Sequence, residues 1–78
     1  MNSELERSRL QLKQINEVIQ EILDTGIPEE PEQLAFMIVI LSQDSCIQEP
    51  RLRYAVWRLR QDLIYIAAVY QIERGDRF

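Results

Sequence analysis

The side chain with the makings of a strong nucleophile is Cys46, in the stretch SQDSCIQEP (42–50). A thiol attacks as the thiolate, so it needs a helix N-terminus or a nearby cation to lower its pKa. Cys46 lies shortly before the expected start of a long helix, which keeps a thiol enzyme or redox sensor in view. It has no second cysteine and no histidine to work with, because the chain holds one Cys and no His. The reading its isolation favours is a small, partly buried apolar filler. The serines likewise have no histidine-based triad to join.

Three carboxylates, Glu29, Glu30 and Glu32, stand close together around Pro31. They lack the alternating Asp/Asn spacing and the glycine of a calcium loop. A cluster at a helix start, with one face in solvent, accounts for them. Gly26 and Gly75 are isolated, so no glycine-rich phosphate loop exists. The expectation is no enzyme, no metal site and no cofactor.

Arg51, Arg53, Arg58 and Arg60 form the one basic cluster. Nucleic-acid binding needs such side chains on a single face. Counted at 100° per residue, Arg51 and Arg58 lie on one edge of a helix and Arg53 and Arg60 on the other. This split suggests ion pairs flanking an apolar face, with glutamates of the first helix as partners, or stacking of Arg53 or Arg58 on Tyr54 or Trp57. A nucleic-acid-binding regulator using this segment is the alternative reading of the chain.

The elements that position these groups fit in 78 residues, one domain near the lower limit for burying a sufficient core alone. With 46% hydrophobic and 28% charged residues, the composition is that of a folded protein. Residues 1–39 carry three basic and eight acidic side chains, net −5, and residues 40–78 six and five, net +1. That balance disfavours nonspecific binding to nucleic acid. A lone cysteine fits a reducing compartment, and MNSELERSRL lacks the apolar core of a signal peptide. The longest apolar runs, LAFMIVIL and LIYIAAVY, have eight residues each, against roughly twenty needed to cross a bilayer. A cytoplasmic protein with no membrane partner is expected.

Leu5, Leu12 and Ile19, with Ser8, Ile15 and Ile22, recur at heptad spacing and predict an amphipathic helix over about 3–25, widened by Val18 and Leu23. Ser3 and Glu6 make a capping-box pattern, and Gly26 supplies the stop. A linker at 26–31 leads through Pro28 to Pro31, which suits the first turn of a short, almost fully buried helix over about 31–43. Glu49 before Pro50, or Ser45 with Gln48, opens a third helix over about 49–74, with Gly75 marking its end. The fold expected is all-α: long helix, short buried helix, long helix, in an antiparallel hairpin or bundle.

The third helix is apolar on two sides. Leu52, Val56, Leu59, Leu63, Ile66 and Tyr70 form a narrow seam, and Tyr54, Trp57, Ile64, Tyr65, Ala68 and Ile72 lie nearly opposite. A helix with two apolar sides is sandwiched. The first helix is expected to cover one side at a crossing near +20°. The short helix covers the other only in part, unless it folds across the aromatic face and closes a monomeric bundle. Otherwise the Tyr54/Trp57/Tyr65 face is an interface, in a homodimer or with an unknown protein partner. The functional expectation is a small interaction module of adaptor, chaperone or inhibitor type. It acts as a homodimer and presents Glu17, Glu21, Asp24, Glu29, Glu30 and Glu32 to a basic partner surface.

Overall fold

The computed structural model describes residues 3–73, and among these the regular structure is helical throughout: α1 (Ser3–Thr25), α2 (Pro31–Leu41) and α3 (Pro50–Glu73), with a single 3-10 turn at Asp44–Cys46. The punctuation read from the sequence explains most boundaries. Gly26 has φ +88°, the left-handed conformation that an L side chain resists, and its N–H donates to the Ile22 carbonyl at 2.8 Å. Glu30 is held extended by the proline that follows it, and Pro31 takes the first helical position of α2. At α3, the Glu49 carboxylate accepts the N–H groups of Arg51 and Leu52, while its carbonyl accepts that of Arg53. Glu49 therefore caps the helix that Pro50 begins.

Other boundaries differ. Ser3 is already helical, so the position of any cap for α1 lies outside the described residues, as do Arg74 and the stop expected at Gly75. Helix α2 ends at Leu41 instead of 43, where the Ser42 hydroxyl donates to the Ile38 carbonyl at 2.8 Å. A serine that binds back four residues competes with the helix ladder and suits its last turn.

Short connections force sequence neighbours to pack antiparallel. The start of α2 lies beside the end of α1, where Val18 and Glu21 share a cleft with Gln33, Phe36 and Met37. On its other side, Pro31, Leu34 and Ala35 lie beside Ala67, Tyr70 and Gln71 near the end of α3. The order is up, down, up, with the short helix in the middle. A side-chain bond from Gln43 to Gln14, at 3.0 Å, ties the connection after α2 back to α1.

The core runs along this central helix. Leu34 and Leu41 meet Leu63 and Val56 of α3, Ile15 and Val18 of α1, and Ile47 of the loop. This corrects the expected cover of α3: its seam packs chiefly on α2, and α1 packs on α2 and the 3-10 turn. The reason is composition. After Glu32 the helix α2 has no charged residue, so the middle layer is the arrangement that buries most of it, whereas α1 needs solvent for its charges.

Two further expectations need correction. Helix α2 is not almost fully buried, because its outer side exposes Phe36 (64%) and Val39. Within the α3 seam, Leu52 lies beyond the reach of an eleven-residue helix and remains exposed, and Leu5 and Leu23 of α1 are exposed too. The consequence is an elongated particle, 49 × 22 × 22 Å, with a radius of gyration of 14.1 Å. A compact chain of this length would have about 11.5 Å.

Candidate interaction surfaces

The aromatic side of α3 faces away from its seam, and none of the described residues covers it. Tyr54, Trp57, Ile64, Tyr65, Ala68 and Ile72 are all exposed, Trp57 at 40% and Tyr65 at 71%. Helix α2 lies on the seam side, so it does not close a bundle over the aromatic face. The rings of Tyr54 and Trp57 stack on each other, centroids 5.8 Å apart and planes 28° from parallel, forming a preordered ledge.

The arginines divide by edge. On one edge, Arg60 pairs with Asp44 of the 3-10 turn at 3.6 Å, both side chains mostly buried, and Arg53 donates to the Ile47 carbonyl at 3.4 Å. These two hold the 42–49 connection against α3. On the other edge, Arg58 pairs with Asp62 at 3.5 Å, while Arg51 and Glu73 face solvent. The ion pairs expected with glutamates of the first helix are replaced by these, because α2 and the turn separate α1 from α3. Stacking of Arg58 on Trp57 gives way to its pairing with Asp62. A helical wheel cannot show Asp44, which reaches Arg60 from another element.

The six acidic residues expected to face a partner, Glu17, Glu21, Asp24, Glu29, Glu30 and Glu32, are exposed and gathered around the α1–α2 turn. Between Lys13 and Arg51 the sequence has no basic residue, so acidic side chains predominate along this stretch. Glu21 and Glu32 flank the cleft between α1 and α2, which has a volume of about 270 Å³ and an apolar floor of Val18, Phe36 and Met37. That cleft was not legible in the sequence, since a continuous apolar run does not say which side of α2 stays open.

Cys46 is half-buried in the 3-10 turn, packed against the core. Burial pushes its thiol above the ordinary range, a backbone hydrogen bond offsets part of that, and the neighbouring Asp44 charge adds a smaller upward push. That is the reverse of an activated thiol. Cys46 is expected to react with iodoacetamide at pH 8 at least about tenfold more slowly in the folded protein than after denaturation. A native rate equal to the denatured one would contradict the filler assignment.

Among the described residues, no three Cys, Asp or Glu side chains come together in a way that could hold a metal ion. No described helix is long and apolar enough to cross a membrane. Compared with protein-family models, curated proteins and solved structures, the chain matches none.

Proposed function

We propose that this protein is a non-enzymatic protein-interaction module of the cytoplasm. It pairs with itself through the aromatic face of α3 and offers its acidic end to a basic partner. The observation that carries the reading is the uncovered face itself. Six adjoining residues, three of them aromatic, stay exposed opposite a well-packed seam. Tyr and Trp are residue types enriched at interface hot spots, and isolated monomers rarely leave such a surface wet.

Pairing of α3 with a second copy leaves the α1–α2 turn free. There the cleft offers an apolar floor between Glu21 and Glu32, the arrangement that suits an amphipathic segment with one large apolar side chain flanked by Lys or Arg. Contact with such a segment is the step by which the module would bridge or occlude its target. Two of the four α3 arginines are engaged by the chain's own loop, which takes support from the nucleic-acid alternative.

A synthetic basic amphipathic helix tests the acidic end. Titration calorimetry is expected to show binding that weakens about tenfold or more with Glu21→Lys and Glu32→Lys together, and also with Phe36→Ala. Equal affinity for wild type and both variants would remove the acidic cleft from the proposal.

A further inference from the structure

The proposed self-pairing can be taken to a specific geometry, which rests on the reading just given. We infer that the two copies meet with their α3 helices antiparallel, about a two-fold axis passing between positions 62 and 63. Three independent features of α3 place the axis within half a residue of that point.

The first is charge. From Pro50 to Gln61 the helix carries four arginines and no acid; from Asp62 to Glu73 it carries two acids and no base. Parallel pairing would set the basic half against itself. Antiparallel pairing sets it against the acidic half of the other copy. The edge that remains free shows this order plainly, running Arg51, Arg58, Asp62, Glu73, while the opposite edge is occupied by its contacts with Asp44 and Ile47. Reversal brings Arg51 to within one position of Glu73 of the second copy. It also places the two Arg58–Asp62 pairs next to each other at the axis.

The second is the shape of the aromatic face. Reversal about the same axis sets Trp57, the largest side chain, over Ala68, the smallest on the face, and it does so twice by symmetry. Large against small is how facing helices interdigitate. A parallel arrangement would stack Trp57 on Trp57 and leave Ala68 facing Ala68 across a gap.

The third is spacing. Tyr54, Trp57, Gln61, Ile64, Ala68 and Ile72 advance by three or four residues, so they form a continuous strip that stays in contact along a partner helix. Reversal about this axis sets Trp57 over Ala68 and Gln61 over Ile64, and brings Tyr54 within one position of Ile72 at the ends of the strip. A two-fold interface must be self-complementary in this way. Ion pairs at the two ends then fix the register that the apolar strip alone would leave free to slide.

Charge exchange tests the geometry without touching the core, because Arg51 and Glu73 are exposed and lie at opposite ends of α3. Dimer dissociation constants would be measured by sedimentation for wild type, Arg51→Glu, Glu73→Arg and the double variant. Each single change is expected to weaken the dimer by about three- to tenfold, and the double change to restore it to within about twofold at low salt. A double variant as weak as, or weaker than, the sum of the singles overturns the antiparallel register. A second experiment uses Cys46→Ser chains carrying Tyr54→Cys or Ile72→Cys and a short bis-maleimide. Cross-linking between the two kinds of chain, with little within either kind alone, supports the geometry. Self-cross-linking of Tyr54→Cys, or a dimer that cross-links in neither arrangement, overturns it while leaving self-association standing. A wild-type chain that sediments as a monomer removes the self-association reading itself.

Discussion

Trp57→Ala combined with Tyr65→Ala is expected to turn the paired protein into a monomer while leaving its helix content unchanged. Both side chains are exposed in the single chain, so their removal opens no cavity in the core. Truncation of an aromatic hot spot costs about 2 kcal/mol or more in binding. A two-fold interface loses each side chain from both copies, so the double variant should weaken pairing by about a thousandfold or more. Size-exclusion chromatography across a dilution series reads the change, with far-ultraviolet circular dichroism as the control on folding. A double variant that elutes as the wild type does at every concentration would show that this face does not mediate association.

Leu63→Ala is expected to do the opposite, damaging the fold before it touches the interface. Leu63 is 0% exposed and packs in the cluster with Leu34 and Leu41. Removing a buried leucine side chain costs about 2–5 kcal/mol, because the cavity collapses only in part. The whole chain is expected to be stable by about 4–12 kcal/mol. The substitution therefore removes a large share of that, with a fall in Tm of about 10 °C or more. Tyr65, two residues on and nearly opposite around the helix, should change the stability of the single chain by no more than about 0.5 kcal/mol when replaced by Ala. Urea unfolding at concentrations low enough to keep the chain monomeric separates the two effects. If Leu63→Ala cost less than Tyr65→Ala there, the assignment of core and outer faces would be reversed.

That contrast between Leu63 and Tyr65 was legible from spacing alone. The helical period sorted α3 into a seam and an aromatic side, and the structure buries Val56 and Leu63 while it exposes Trp57 and Tyr65. Helix ends were legible for a similar reason. Gly26, Pro31 and the Glu49–Pro50 pair act locally, through φ, a missing N–H and a short side-chain cap, so no distant contact is needed to interpret them.

What the sequence left open depends on contacts between elements. LAFMIVIL is apolar at every position, and a pattern without polar residues cannot say which side faces out. Only packing shows that Phe36 and Val39 do, and that α2 rather than α1 lies on the α3 seam. The arginine edges were sorted correctly by angle, yet the partners of Arg53 and Arg60 come from the 42–49 connection. That loop's path over α3 is set by where α2 ends, which composition does not fix to the residue. The acidic cleft belongs with these, since its two flanking glutamates stand eleven positions apart in the sequence and are joined only by the antiparallel return of α2.

The central claim is that a second copy of this chain dries the aromatic face of α3. Sedimentation equilibrium of the native protein at tens of micromolar tests it most directly. A particle of about 18.6 kDa is expected, twice the 9.3 kDa of the chain. A single species of 9.3 kDa throughout that range would contradict it.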